Sequence, residues 1–389
     1  MMNMSCSTNQ SENILNEIID SMGAEFPNVV RSPEKHRLQI LYTQINRNQK
    51  NEPTFKTFSF GIDTSRYFYP ASSTKLPIAV LAVEKARMIS EIDIYDKFQI
   101  LPGPVYRNGV NKDISSETGY HSLAHSIRNL FIISDNSANN YLYDFLGRDF
   151  INERLWDLSL NSTRIRHRLS IRLSDEENRF THPMNFYDKS KIIYKQESQI
   201  ASIPLELNVK DYKIGKYHFY EGEKKEGPLD FSSKNYMNLP EQHELLKRII
   251  FPKNYAKEEQ FSLSESDYQF LYREMSILPR QSDYPSFQDY DKYYDGQIWI
   301  ICSLALAQVY IELYRRRNIV KYDSPMHRSK SNPNNNFIEI ANEILEIILT
   351  LDVNLILPEQ FNPNTNEFIS AKKLTWNYSE LYKLYNILN

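Results

Sequence analysis

Tyr67-Phe68-Tyr69-Pro70-Ala71-Ser72-Ser73-Thr74-Lys75-Leu76-Pro77 is the stretch on which the reading of this chain turns. An apolar run follows it from Leu76 to about Met88. Serines and a threonine just ahead of such a run are helix starters, because their side-chain oxygens accept from unpaired N–H groups of the first turn. Ser72 is therefore expected in the first turn of a buried helix. Lys75 lies three residues on, on the same helix face, so its amine is expected beside the Ser72 oxygen. The helix N-terminus favours a developing alkoxide, and desolvation with neighbouring charge can lower a lysine pKa until the amine takes a proton. A bare Ser-x-x-Lys arises by chance about once in a chain of this size. Its surroundings decide its worth.

Working outward, residues 11–30 read as an amphipathic helix, with Ile14, Leu15, Ile18, Ile19 and Met22 at helical spacing. Residues 36–46 and 54–61 alternate and read as two strands of a hairpin across the polar stretch 46–53. Helices are expected over 121–146, with a break around Ser134–Asn136, and over 149–160, 239–250 and 264–277. Residues 165–235 are polar and irregular, with weak strand signals at 205–221. From about Tyr290 the character changes, with apolar helices expected at 298–315 and 337–351, a loop rich in Ser, Asn and Pro between them, and a final helix.

Ser134-Asp135-Asn136 is the second chemical element. A hydroxyl, a carboxylate and an amide in a turn between helices can relay a proton and hold a substrate amide. Ser-x-x-Lys followed by Ser-Asp-Asn is the pattern of class A β-lactamases and penicillin-binding proteins. The flanks, 67–77 and Ser134-Asp135-Asn136-Ser137-Ala138-Asn139-Asn140-Tyr141-Leu142, resemble the matching segments of those serine hydrolases. The resemblance covers roughly residues 12–285. It implies Ser72 as nucleophile, Lys75 and Ser134 in proton transfer, Asn136 in the catalytic set and Asp135 toward substrate. It also implies a small-molecule substrate (a β-lactam, peptide or ester) and an extracytoplasmic location.

Two parts of that pattern do not fit. The family's deacylating glutamate sits in an E-x-x-L-N loop, and none occurs here. Asp157-Leu158-Ser159-Leu160-Asn161 comes too early, and the place after Thr163-Arg164 reads Ile165-Arg166-His167-Arg168. An acyl-enzyme is then expected to turn over slowly, or by another route. The late K-T-G strand is also missing; Lys213-Ile214-Gly215 is the near match but precedes the helices that the strand should follow. Lys213 is retained as a candidate substrate contact, with a surface hairpin as the alternative.

The C-terminal part is similar to another family. Tyr293-Tyr294-Asp295-Gly296-Gln297-Ile298-Trp299, Leu357-Pro358-Glu359-Gln360-Phe361-Asn362 and Leu374-Thr375-Trp376-Asn377-Tyr378-Ser379 resemble, in order, segments of glucoamylase-type glycoside hydrolases. That resemblance implies Glu359 as a catalytic base in a loop after an apolar helix, with Trp376 and Trp299 against a sugar. Ile298 stands where that family usually has proline.

The expected architecture is α+β. A start at 1–11 is disordered, and 12–287 form a β-lactamase-like module: a helical subdomain with a small antiparallel sheet lacking its late strands. Residues 288–389 form an all-α tail resembling the end of an (α/α)6 barrel. The missing strands would leave a sheet edge open, with the tail helices packing on the first module. The functional expectation is a hydrolase acylated at Ser72 and impaired in deacylation. The alternatives are a carbohydrate-active remnant acting on oligosaccharide, or an inactive chimeric protein.

Bulk properties exclude other classes. A net charge of −3 gives no pull toward nucleic acid. Only 10 glycines, with no G-x-x-x-x-G-K-[ST] or G-x-G-x-x-G, disfavour nucleotide binding by those routes. Cys6 and Cys302 make neither a disulfide framework nor a zinc site, so no metal or other cofactor is expected. No apolar run spans a bilayer. Met4-Ser5-Cys6 is faintly like the end of a lipoprotein signal, and membrane attachment is expected only if that signal is real.

Overall fold

The computed structural model describes residues 13–23, 26–220 and 223–277, and the backbone of 298–299, 358–362 and 367–372. The chain divides into two compact units, Met1–Asp283 and Tyr284–Asn389. The expected disordered start lies outside the described residues, as do both cysteines.

The first unit opens with α1 (Ile14–Ser21), capped by the Asn13 side chain, and a short α2 (Pro27–Val30). One continuous helix over 11–30 is thus not formed. Gly23 follows α1, and Pro27, which lacks an N–H, starts α2; both residues favour a restart over continuation. The hairpin forms as expected, with β1 (Ile40–Arg47) and β2 (Pro53–Phe60) paired antiparallel from Ile40↔Phe60 to Arg47↔Pro53. It is a two-stranded sheet, held at its side by the Thr43 hydroxyl against His243 (2.7 Å) and by Phe55 edge-on to Phe251 (5.0 Å).

The helix expected after Ser72 is α3 (Lys75–Met88), entered through a 3₁₀ turn at Ala71–Thr74. Every residue from Pro77 to Ala86 except the half-buried Lys85 is buried, so α3 is central rather than amphipathic. Each fully buried Val, Leu or Ile there contributes about 1.5–3 kcal/mol. Glu84 would be costly in such a helix if unpaired. It is held by Arg154 at 2.8 and 3.0 Å and by the Ser262 N–H at 2.6 Å. Around α3 pack α4 (Leu123–Ile133), α5 (Asn136–Leu146) and α6 (Arg148–Asp157), with Leu81, Ile127, Leu142, Phe145 and Ile151 in one core. Asp157 closes α6, three residues short of the expected end at 160.

A four-stranded antiparallel sheet lies against this core, in the order β4-β3-β5-β6. Its strands are β3 (Lys97–Ile100), β4 (His121–Ser122), β5 (Met184–Asp188) and β6 (Lys191–Gln196). Phe98 pairs with Phe186, both fully buried, and Phe186 meets Phe145 at 5.5 Å. None of these strands is signalled in the sequence. They are short, and β5 and β6 are joined by a turn through Lys189 in the left-handed region (φ 54°) rather than by a glycine. A short α7 (Asp175–Arg179) precedes them, started by a Ser174–Glu177 capping box.

The weak signals at 205–221 become two surface ribbons. One is β7 (Lys213–Ile214) with β10 (Leu229–Asp230); the other is β8 (Tyr217–Tyr220) with β9 (Glu223–Glu226). Helices α8 (Leu239–Ile250) and α9 (Glu265–Ser276) complete the unit close to the expected limits.

In the second unit the described residues form a three-stranded antiparallel sheet: β11 (Ile298–Trp299), β12 (Pro358–Asn362) and β13 (Glu367–Lys372). This corrects the all-α tail at three places. Residues 298–299 are strand, not the start of a helix, and Glu359 lies within a strand rather than a loop. Aromatic and β-branched residues at Phe361, Phe368 and Ile369 flank Asn362-Pro363-Asn364-Thr365-Asn366, a run of turn formers that favours a hairpin. The remainder of the expected helices, 300–315 and 337–351, lies outside the described residues.

Candidate active site

The Ser72 turn and the Ser134 turn are both built by left-handed residues. Ala71 (φ 46°) precedes the serine, and Ser134 (φ 53°) ends α4. Asp135, immediately after it, caps α5 by accepting from the Ala138 N–H at 2.8 Å. A left-handed residue between one helix end and the next helix cap folds Ser134-Asp135-Asn136 into a tight corner. Non-glycine residues in this region cost roughly 1–3 kcal/mol each and persist where the surroundings over-determine them.

Three functional side chains meet at this corner. The Lys75 amine donates to the Ser134 hydroxyl at 2.8 Å and to the Ser134 carbonyl, and the Ser134 hydroxyl lies 3.3 Å from that of Ser72. The lysine reaches the Ser72 hydroxyl through Ser134, a different arrangement from the direct approach expected of the i, i+3 spacing. Lys75 is buried at 4% exposure while Ser72 is exposed to solvent. Burial pulls the Lys75 pKa from 10.5 down to about 8, with the Asp135 charge acting the other way. Near neutral pH an appreciable fraction of the amine is thus available as a base.

Asn136 points elsewhere, donating to the Ser170 hydroxyl at 2.8 Å. That contact joins the corner to the irregular segment 158–174, which the sequence reading left without a role beyond the missing glutamate. Four asparagine side chains stand in for a hydrogen-bonding partner strand there. Asn152 accepts from the Ile165 N–H and donates to its carbonyl, both at 2.9 Å. Asn140 does the same for Leu169, at 2.8 and 2.9 Å. Asn235 accepts from Arg166 and His167, and Asn178 from Arg168. Buried backbone groups must be paired somewhere, and here side chains pair them. Underneath, Arg168 is fully buried on Asp144 at 2.7 Å, and the same carboxylate accepts from His182.

His167 emerges from this segment beside Tyr69, three residues before Ser72, with the two rings near parallel (centroids 6.3 Å apart). The sequence offered no signal for it beyond its place where the glutamate is absent.

Of the other sequence candidates, Lys213 is exposed on the β7–β10 ribbon with Asp230 3.8 Å away. This is the surface hairpin named as its alternative. Trp299 pairs with Gln360 in the second unit's sheet, and Trp376 lies outside the described residues. Among the described residues no cluster of three or more His, Cys, Asp or Glu is arranged to hold a metal ion, and no helix is long and apolar enough to cross a membrane.

No curated protein matches the chain. Among solved structures, the crystal structure of β-lactamase from Sphaerobacter thermophilus DSM 20745 matches at 21% identity over 37% of this chain, with a TM-score of 0.25. The chain spans about half of that protein, 51%. The model of the β-lactamase enzyme family matches residues 24–201. That stretch carries Ser72, Lys75, the Ser134 corner and the asparagine-pinned segment, and this part of the chain is β-lactamase-like.

Proposed function

We propose that the chain is a serine hydrolase of the β-lactamase and penicillin-binding type, acylated at Ser72. The observation that carries the reading is the Lys75–Ser134–Ser72 chain of hydrogen-bonding groups, buried at the lysine and open at the nucleophile. In the neutral state Lys75 draws the Ser72 proton through the Ser134 hydroxyl. The Ser72 oxygen attacks the substrate carbonyl carbon, and the tetrahedral intermediate collapses with expulsion of the leaving amine or alkoxide. That leaving group takes its proton back along the same relay, and an ester on Ser72 remains. In this reading Asn136 meets a substrate amide once it releases Ser170. Asp135 acts through the cap of α5, holding Ser134 in register.

The family's carboxylate route for deacylation is absent from the segment at 165–168, so the ester is expected to be long-lived. The glycosidase reading of Glu359 has only its three sequence segments behind it and forms no part of the proposal. A fluorescent penicillin should label the wild-type chain covalently and leave Ser72→Ala unlabelled. Equal labelling of both, or of neither, would remove the reading.

A further inference from the structure

A pocket of about 580 Å³ opens between the segment before β1, the exit of β2 and Lys210-Asp211. Three residues in the left-handed region build it: Arg37 (φ 52°), Gly61 (φ 62°) and Asp211 (φ 59°). A Cβ on Gly61 would stand 2.5 Å from the Leu38 carbonyl, so glycine is what lets the exit of β2 pass so close. Arg37 and Asp211 hold each other, the Arg37 Nη2 donating to the Asp211 carbonyl at 3.1 Å. Non-glycine residues in this region are strained by roughly 1–3 kcal/mol each, and such strain clusters at ligand clamps.

The charges of the pocket do not cancel locally. The Asp211 carboxylate accepts from Arg66 Nε at 2.9 Å, and Arg66 Nη1 donates to the Glu34 carbonyl at 3.0 Å. Asp63 lies 3.2 Å from the Lys210 amine and accepts from the Ser65 N–H at 3.0 Å. Both aspartates are thus engaged. Arg37 bonds carbonyls alone, that of Asp211 and, through Nη1, that of Tyr67 at 3.1 Å. Among the described residues no carboxylate bonds its guanidinium. Two of its five N–H groups are used, which leaves three. Burial and the Arg66 charge lower the Arg37 pKa, with Asp211 opposing, as expected of a cation short of negative partners. Leu38, Phe60 and Ile62 supply apolar lining to the same pocket.

We propose that this pocket binds a small organic carboxylate, its oxygens on the unused N–H groups of Arg37 and Arg66 and its apolar part against Leu38, Phe60 and Ile62. The two guanidiniums both bond Asp211, which brings them to one place, and the planar fork of arginine matches a carboxylate. One uncompensated cation suits a single negative charge better than the double charge of a phosphate, and the apolar lining suits an organic body. Fixing each guanidinium by two protein bonds lowers the entropy cost of binding. The exposed Glu34 carboxylate is the lining group that opposes an anion. The site stands independently of acylation at Ser72.

The test uses 4-bromobenzoate with the full-length chain. Titration calorimetry should show saturable one-to-one binding to wild type, and anomalous diffraction from soaked crystals should place the bromine in the pocket beside Phe60. The uncharged 4-bromobenzyl alcohol and inorganic phosphate should each bind roughly tenfold more weakly or less. Arg37→Gln should weaken 4-bromobenzoate by a similar factor, while Glu34→Gln should bind it as tightly or more so. The comparison of acid with alcohol needs no variant to fold. Equal affinity for the two, no binding in solution, or a bromine found only elsewhere would overturn the proposal. Phosphate bound as tightly as 4-bromobenzoate would overturn the choice of an organic carboxylate.

Discussion

Replacing Asp144 by alanine is expected to unfold the first unit far more readily, and the geometry sets the size of the effect. The Asp144 carboxylate and the Arg168 guanidinium are both completely buried. Asp144 accepts from Arg168 at 2.7 Å, from the His182 N–H at 2.8 Å and from His182 Nδ1 at 3.0 Å. Removing it strands a buried cation and two donors at once. Breaking a buried pair on one side costs about 3–5 kcal/mol, most of it the desolvation of the partner left behind. With a urea slope of about 3 kcal/mol/M, the midpoint should fall by roughly 1–1.7 M. The chain has 3 tryptophans, and Trp156 alone lies in the first unit, with its indole N–H on the Thr163 carbonyl at 3.0 Å. In a Trp299→Phe, Trp376→Phe background its fluorescence reports unfolding beside the pinned segment. The double variant Asp144→Leu, Arg168→Met should recover most of the loss, since an apolar pair of similar volume leaves no charge unpaired. A single variant within about 0.3 M of wild type, or a double variant no better than the single, would refute the argument that Asp144 acts by neutralising Arg168.

The relay and the loop give two more expectations. Acylation needs Lys75 neutral, so its rate should climb about tenfold per pH unit below 8 and level off above it; Lys75→Met should abolish that climb and slow labelling by about 10²–10⁴-fold. The same depressed pKa means that between pH about 8 and 10.5 the unfolded chain holds a proton on Lys75 that the folded chain does not, so this group's contribution to stability rises with pH across that window. Asn152→Ala leaves the buried N–H and carbonyl of Ile165 unpaired and should cost about 2–4 kcal/mol, read as a lower urea midpoint by Trp156 fluorescence. A neutral outcome there would show that the segment is not held through its asparagines.

The helices around the site were legible because their signals are local. The apolar run after Ser72, the capping residues before 239 and 265, and the interruption at Ser134–Asn136 all sit within one or two turns of the feature they specify. The four-stranded sheet was not legible. Its strands are two to six residues long, and β3 pairs with β5 about ninety residues away, so only packing of Phe98 on Phe186 selects that pairing. The tail misled for a related reason: an apolar run beginning at Ile298 reads equally as helix or strand, and pairing of Ile298 with Phe361, more than sixty residues away, decides for strand at 298–299.

By itself the sequence determined which residues make up the candidate site. Ser72 and Lys75 at helical spacing and the Ser-Asp-Asn turn are fixed by residue type and local spacing, and the absence of the glutamate is a matter of reading letters. The tertiary structure alone decided that Lys75 reaches Ser72 through Ser134, because the left-handed corner between two helices carries the Ser134 hydroxyl in between. It alone brought His167 beside Tyr69, three residues before Ser72. The segment 165–169 has no secondary structure of its own, and its path is set by asparagines up to about seventy residues away in sequence, whose amides pair the backbone that water would otherwise claim.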